Sequence, residues 1–325
     1  MFEICDQFES PIKERFLITP DYEYSVESSG TPSSFEGSSD IIDNVLFSVS
    51  QNHKTLSEYT DIMLANLENH ENVLIKFPVN PEYTIRSTKY DRKTIVDWII
   101  WICYNCQFND ETLFCAISIF DRYMLKTNNE NNAYVAIICS LWISTKLNEV
   151  RIPTLESMVE ICNNVCSTTE ILNFETVILN TLKFNIIYPT YSHFTESLLS
   201  QIPVDDVFEN YVSLFCHCAL LSEELIETKP SHISLASIIL AKIATDTKMS
   251  FSVVFRSLSS INEKMLIDCL SAIAKQSKEI YEKYESAVQM KFEPFLMINI
   301  NDIENIEKKV DEIIPNKPSD FLDNI

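Results

Sequence analysis

Glycine is almost absent from this chain. Gly30 and Gly37 are its two glycines, and none follows them in a sequence of 325 residues. Dinucleotide fingerprints, P-loops and protein-kinase loops need glycine where the backbone comes close to phosphate. The shortage therefore excludes most nucleotide-using enzymes, and we expect no cofactor.

Basic charge and long apolar runs are also scarce. The chain has 25 Lys and Arg against 47 Asp and Glu, a formal charge of −22. Nucleic acids and anionic membranes are bound by clustered Lys and Arg, so neither is expected as a partner. The longest uncharged apolar run, 133–145, is too short to cross a bilayer. The opening "MFEICDQFES" is acidic where a secretory signal is basic. We expect a soluble intracellular protein.

The ten cysteines do not form a zinc-binding pattern. Cys103 and Cys106 make a CxxC, and Cys216 and Cys218 make a CxC. Structural zinc sites take such pairs from loops or knuckles, often together with spaced histidines. Here the CxxC lies in apolar sequence of helical character, and the chain has five histidines. We therefore expect core thiols and no metal site. The sequence also lacks the HExxH motif that would suggest a metal hydrolase.

Both ends of the chain read as acidic tails. Residues 1–43 hold ten acidic residues against Lys13 and Arg15 and are rich in Ser, Thr and Pro, which predicts a disordered tail over 1–50. One helix is predicted within residues 51–90, with Thr55 and Glu58 as its capping box. A connector that contains proline follows it. Residues 299–325 show no clear core face, and we predict a second acidic tail over 291–325.

Between the tails the apolar spacing predicts an all-α fold in two similar halves. Each half contains five helical segments, and the third of each is the most apolar, as expected of a helix surrounded by others. Asp110 is the expected N-cap of the second segment, and Ser167 with Glu170 the capping box of the fifth. The segments are predicted at 91–107, 111–126, 132–147, 154–164 and 168–182, then at 191–201, 206–222, 231–247, 251–259 and 262–286.

The first half resembles a cyclin box. The blocks "DRKTIVDWIIWICYNCQFNDETLFCAISIFDRYMLK", "LWISTKLNEVRIPTL" and "FETVILNTLKFNIIYPT" match that motif in order and spacing. The resemblance implies two tandem five-helix cyclin-box domains, at 91–187 and 188–290. Cyclins are not enzymes. They bind the catalytic subunit of a cyclin-dependent kinase and shift it to the active arrangement, so kinase substrates and inhibitors are implied as further partners.

The resemblance also implies which residues contact the kinase. Lys146, at the end of the third helix, and Glu175, in the fifth, match the family's central charged contacts. A lysine there has another interpretation, because the helix macrodipole favours a cation near its C-terminus. The residues expected to complete the kinase-binding surface are Leu147, Ile143, Phe184 and Glu149.

Two further features carry over by position. Arg92 and Asp121 match an internal ion pair that ties the first helix of the box to the second. A patch on the first helix that binds substrate motifs keeps only Ile95 and Trp98 in this chain, and Asp91 would receive an apolar side chain poorly. We therefore expect weak substrate docking.

The N-terminal tail contains proline-directed sites at Ser10, Thr19 and Thr31. They resemble a phosphodegron, in which a phosphate is read by an arginine pocket of a ubiquitin ligase. Such sites also occur by chance in polar tails.

The subclass is open at this point. "LWISTK…IPTLESMVEIC" is most like fungal-type G1/S cyclins, which we favour. The "EYTDI" helix and "VDW" fit B-type mitotic cyclins equally. A transcription-associated cyclin is a third interpretation. Lys308 and Lys309 are the main basic cluster. We therefore expect a protein of nucleus and cytoplasm whose nuclear entry depends on a partner.

Overall fold

A computed structural model describes residues 60–72, 91–127, 132–247, 258, 261–283, 286–296, 298 and 300–313. All of them fall in one compact unit of the chain. Their regular structure is α-helical apart from a short 3-10 helix. The predicted capping box at Thr55 and Glu58 and the sites Ser10, Thr19 and Thr31 lie outside the described residues.

The described helices follow the predicted order closely, and the segment predicted at 251–259 lies outside the described residues apart from 258. In the first half they are α1 (60–72), α2 (Arg92–Asn105), α3 (Asp110–Thr127), α4 (Ala133–Asn148), α5 (Leu155–Ile161) and α6 (Thr168–Thr181). In the second half they are α7 (Tyr191–Leu199), α8 (Asp206–Leu221), the 3-10 helix (Glu223–Leu225), α9 (Pro230–Thr245), α10 (Glu263–Lys283), α11 (Ala287–Phe292) and α12 (Ile300–Ile313).

Each half is built around its most apolar helix. In the first half α4 packs against α2, α3 and α6, and most of its residues are buried. In the second, α9 packs against α7, α8, α10 and α12. A helix that is apolar all round can lie only where neighbours cover every side, so the sequence dictates both central positions. The hydroxyl of Ser140 in α4 donates to the Ala136 carbonyl at 2.8 Å, which satisfies it inside the core.

The helix ends show which predicted caps form. The Ser167–Glu170 capping box is present at α6. At α3 the predicted cap is wrong by one residue: the Asn109 side chain accepts from the Glu111 N–H at 3.2 Å, and Asp110 is the first helical residue. Without glycine, left-handed turn positions fall to other residues. The described non-glycine residues with positive φ are Gln107, Asn163, Asn164, Lys183, Phe184 and Asp246.

Several polar contacts join the two halves or hold the connection between them. The Arg92 guanidinium, in α2, donates to the Leu220 carbonyl in α8 at 2.8 Å. The guanidinium of Arg122, in α3, donates to the carbonyls of Asn185 and Ile186 in the connection between the halves, at 2.7 Å each. Burial lowers the pKa of Arg122 to about 10. These bonds fix the path of the connection against α3.

The predicted C-terminal acidic tail, 291–325, begins inside α11, and it is wrong for residues 300–313. The chain forms α12 there, and α12 packs on α10 and α9. Ile303, Ile306 and Val310 are buried in that contact. Their spacing places them on one face of the helix. Because many charged residues lie between them, composition alone does not indicate this face.

Candidate partner-binding site

Lys146 and Glu175 meet at the surface between α4 and α6. Lys146 lies in the last turn of α4, and its ammonium forms an ion pair with a carboxylate oxygen of Glu175. The indole N–H of Trp142 donates to the other carboxylate oxygen at 3.0 Å. The Lys146 ammonium also lies 4.9 Å from the centre of the Trp142 ring. One indole therefore holds both charged groups.

This charged pair is partly open to solvent. About a third of the Lys146 side chain (32%) and 19% of the Glu175 side chain are exposed. An ion pair in such a setting contributes at most about 1 kcal/mol to stability. Its larger effect is to hold two opposite charges in one orientation at a surface, and this kind of arrangement fixes the register of a bound protein.

Apolar side chains are exposed in the segments around the pair. Leu147 follows Lys146 directly, and Leu172 lies one turn before Glu175; about half of each is exposed. Phe184, just beyond α6, is 69% exposed and has a φ of 58°. Ile143 is different, because it is 4% exposed and part of the core. Its predicted place in the surface is therefore wrong.

Glu149 stabilises the fold next to this surface. One of its carboxylate oxygens accepts from the Asn109 N–H at 2.8 Å and from the Thr112 hydroxyl at 2.5 Å. Both donors belong to the start of α3, where a negative charge also complements the helix macrodipole. The structure thus assigns the carboxylate a contact that joins the end of α4 to α3.

Arg92 and Asp121 are brought together as a two-bonded pair. The guanidinium donates to both carboxylate oxygens at 2.8 Å, and both side chains are largely buried. Together with the Leu220 carbonyl, this pair connects α2, α3 and α8. Parallel bonds of this kind are among the stronger polar contacts in proteins.

The two residues predicted for substrate docking are not both at the surface. Ile95 is fully buried, so its predicted role in an exposed patch is wrong. Trp98 is partly buried and packs edge-on against Tyr134, with ring centres 6.1 Å apart. Asp91 is exposed and serves as the N-cap of α2. The helix α2 therefore offers little apolar surface near its start.

Comparison with known families decides the identity of the fold. The model of the cyclin N-terminal domain matches residues 62–187, and that of the cyclin C-terminal domain matches residues 189–297. The chain belongs to the cyclin family. The predicted all-α fold with two tandem cyclin domains is confirmed.

Several curated relatives of this cyclin are named as B-type or mitotic cyclins of plants. Cyclin-B2-2 of Oryza sativa subsp. indica is 25% identical over 209 residues, which is 63% of this chain and 49% of that protein. G2/mitotic-specific cyclin-2 of Antirrhinum majus is 24% identical over 204 residues, 59% of this chain and 46% of that protein. The chain thus spans about half the length of the curated relatives it matches.

Two solved structures share the fold of this cyclin. A viral cyclin from herpesvirus saimiri has a TM-score of 0.55 and 21% identity, covering 66% of this chain and 96% of that one. A chain of the yeast RNA Pol II CTD kinase CTDK-1 complex has a TM-score of 0.54 and 15% identity, covering 73% and 84%.

The cysteines of this cyclin are packed as core thiols where the structure describes them. Cys103 is buried, and burial raises the pKa of its thiol well above the usual value. Cys106 is half-buried, with a pKa raised to about 11. Within the described residues no group of His, Cys, Asp or Glu is placed to hold a metal ion, and no helix is long and apolar enough to span a membrane.

Trp142 is the site residue that sequence reasoning missed. It precedes Lys146 by four residues, and side chains at that spacing lie next to each other on a helix. An indole one turn before a surface lysine was therefore a usable signal. The signal was missed because every side of α4 is apolar, and a tryptophan in such a helix is expected to be a core residue.

Proposed function

We propose that this cyclin binds the catalytic subunit of a cyclin-dependent kinase and activates it, without a catalytic role of its own. The observation that carries the proposal is the Lys146–Glu175 pair, held by Trp142 and flanked by exposed apolar side chains. Opposite charges set among apolar contacts are typical of a surface that binds another protein in one register.

The pair keeps hydrogen-bonding capacity for a partner. An ammonium has three donors. Within the described residues, one donor of Lys146 goes to Glu175 and the ring of Trp142 lies beside it. The remaining donors can reach acceptors of a bound kinase. Because Trp142 already orients both charges, little side-chain freedom is lost on binding, and this favours affinity.

Activation follows from differential binding. A kinase that exchanges between inactive and active arrangements is shifted toward the arrangement that the cyclin binds more tightly. The rigid surface formed by α4 and α6 would select that arrangement. The chain therefore needs no reactive group to raise the kinase's rate.

Two timings in the cell cycle are supported by different observations. The block "LWISTK…IPTLESMVEIC" supports action at the G1/S transition. The names of the relatives support mitotic action. We favour the mitotic timing because those alignments are longer than either cyclin domain, whereas the G1/S likeness rests on one block. Protein abundance in synchronised cells distinguishes the two: a maximum at G2/M supports the mitotic timing, and a maximum at G1/S overturns it.

The N-terminal tail supports a proposal about turnover. We infer from its sequence that phosphorylation at Ser10, Thr19 and Thr31 recruits a ubiquitin ligase. An unchanged half-life after replacing all three residues by alanine would refute this.

The kinase proposal is tested by purifying the tagged full chain from cells and identifying bound proteins by mass spectrometry. A cyclin-dependent kinase is expected among them. The recombinant kinase is then assayed for phosphate transfer to a protein substrate with and without the chain, and the chain should raise the rate. If no kinase is recovered, or if the kinase is bound but not activated, the proposal fails in its binding or its activating part respectively.

A further inference from the structure

A cleft of about 440 Å³ is lined by residues that are distant in sequence from Lys146 and Glu175. Its walls are the start of α2, the 3-10 helix after α8 and the middle of α10. None of its lining residues belongs to α4 or α6. We call it the acidic cleft and define it by Asp91, Lys93, Glu223, Glu224, Gln276 and Glu279.

The acidic cleft has an excess of negative charge. Four carboxylates line it against two ammonium groups, those of Lys93 and Lys275. Lys93 pairs with Glu279 at 3.0 Å, and Lys275 pairs with Glu224 at 3.2 Å across two well-exposed side chains. Glu223 is exposed and forms no ion pair with the described residues. Such a cleft attracts cations, and its exposed ion pair is easily exchanged.

The same cleft contains an amide donor that has no acceptor. Gln276 is 8% exposed, and its side-chain nitrogen is buried without a hydrogen-bond partner among the described residues. A buried amide nitrogen with no acceptor is uncommon in native proteins, and this one belongs to a residue that lines the cleft. Among the described residues this nitrogen forms no hydrogen bond, so a rotation of the amide that brings it to the cleft breaks none of the bonds described.

The two features together define the chemistry of an occupant. The carboxylates call for a cation, while the Gln276 nitrogen calls for an acceptor such as a carbonyl oxygen. A metal ion alone supplies no acceptor, and an anion would be repelled. A polypeptide with basic side chains supplies both groups within one or two residues.

We propose that the acidic cleft binds an extended basic segment of a partner polypeptide. Basic side chains pair with Glu223 and Glu224, and a peptide carbonyl of the segment accepts from the Gln276 side chain. This site does not depend on a kinase, so it is measured on the free chain, and its failure would leave the kinase proposal unaffected.

The probe is a fluorescein-labelled hexa-arginine peptide, with hexa-citrulline as the uncharged counterpart of similar shape. Fluorescence anisotropy is measured with the full chain at about 150 mM salt, where distant charges are screened. Saturable binding of hexa-arginine is expected, together with no binding of hexa-citrulline. Glu223→Lys with Glu224→Lys should weaken the affinity about tenfold.

A matched control separates the cleft from the general negative charge of the chain. Asp206→Lys with Glu209→Lys makes the same change in charge at two exposed residues at the other end of α8. This variant should keep the affinity within about threefold, since more than a Debye length separates it from the cleft. An equal loss in both double variants would show diffuse attraction and overturn the proposal.

Gln276→Leu tests the donor. It removes an unsatisfied amide, so the melting temperature should stay the same or rise, while the affinity for hexa-arginine falls about threefold or more. Unchanged affinity in this variant, or absence of hexa-arginine binding to the native chain, overturns the proposed site.

Discussion

At the scale of single residues, Lys146 shows how one side chain can satisfy two demands. Its place in the last turn of α4 suits the macrodipole. Its ammonium also has Glu175 and the Trp142 ring beside it. If the lysine only completed the helix, its removal would be a small change in stability and nothing else. If it also faces a kinase, the main loss is in binding.

We predict that Lys146→Ala with Glu175→Ala weakens kinase binding by about 2–5 kcal/mol, because charged contacts buried at an interface are lost. The free energy of unfolding should change by less than about 1 kcal/mol, since the pair is partly exposed. Calorimetric titration and chemical denaturation measure the two quantities. Lys278→Ala with Glu307→Ala is the matched control, an ion pair of similar exposure between α10 and α12, and it should bind the kinase normally.

The exchange Lys146→Glu with Glu175→Lys sharpens this prediction. It keeps an ion pair between α4 and α6 but reverses the charge that each position presents. A partner-facing role requires the exchanged variant to bind as poorly as the double alanine variant. Native affinity in either one would show that the pair serves only the fold.

Part of this site could be predicted from sequence, and part could not. Lys146 and Glu175 stand in helices with well-marked starts and ends, so their matched positions placed both correctly at one surface. Ile143 and Ile95 were misplaced for a physical reason. In helices that are apolar on nearly every side, the pattern of side chains does not show which apolar residue faces solvent, and burial is decided by the packing of neighbouring helices.

At the scale of helices, α12 is the clearest difference between expectation and structure. Its apolar residues Ile303, Ile306 and Val310 recur at helical spacing and are buried. The residues around them are mostly acidic or basic, so composition alone suggested a tail. Other boundaries were predicted to within a few residues, because caps such as Ser167 are local and do not depend on distant contacts.

We predict that Ile306→Ala lowers the free energy of unfolding by about 2–5 kcal/mol, as truncation of a buried isoleucine does when it leaves a cavity. Asn305→Ala, at the neighbouring exposed position, is the control and should change it by less than about 0.5 kcal/mol. Urea denaturation followed by circular dichroism gives both values. Equal stabilities for the two variants would mean that α12 does not contribute to the core of the second domain.

At the scale of the whole molecule, buried histidines make the second domain sensitive to acid. The Nδ1 of His217 lies 2.7 Å from the Ser213 carbonyl and its Nε2 lies 2.9 Å from the Lys291 ammonium, which requires a neutral ring that donates to the first and accepts from the second. Burial, reinforced by Lys291 and opposed by Asp110, lowers the pKa of His217 to about 4.

His232 adds a second group of the same kind. Its Nε2 accepts from the Asn262 N–H at 3.0 Å, which joins the start of α9 to the segment before α10. Burial and the charge of Lys229 lower its pKa to about 4, while Glu68 opposes the shift. Because both pKa values are depressed below the ordinary 6.5, the folded state binds fewer protons than the unfolded chain between pH 6.5 and 4.

The sign of the pH effect follows from this difference. The stability that neutral histidines provide is complete above pH 6.5 and is lost as the pH falls toward 4. Buried carboxyls act in the opposite direction: burial raises the pKa of Glu71 and of Asp97, so their contribution is complete at low pH and is lost as the pH rises. The net charge of −22 also relaxes on acidification. A single pH profile therefore mixes these effects, and only a comparison of variants isolates the histidines.

We predict that the titration of each buried histidine lowers the free energy of unfolding by about 2 kcal/mol when the pH falls from 7 to 5. In His217→Gln and in His232→Gln this contribution should be missing from the difference between the free energies of unfolding at pH 7 and pH 5. Denaturation at both pH values measures that difference. The control His70→Gln changes an exposed histidine of α1 and should keep the native dependence. If His217→Gln fails to fold, His232→Gln carries the test alone. A native pH dependence in His232→Gln would show that this ring accepts a proton in the folded protein as readily as in the unfolded chain.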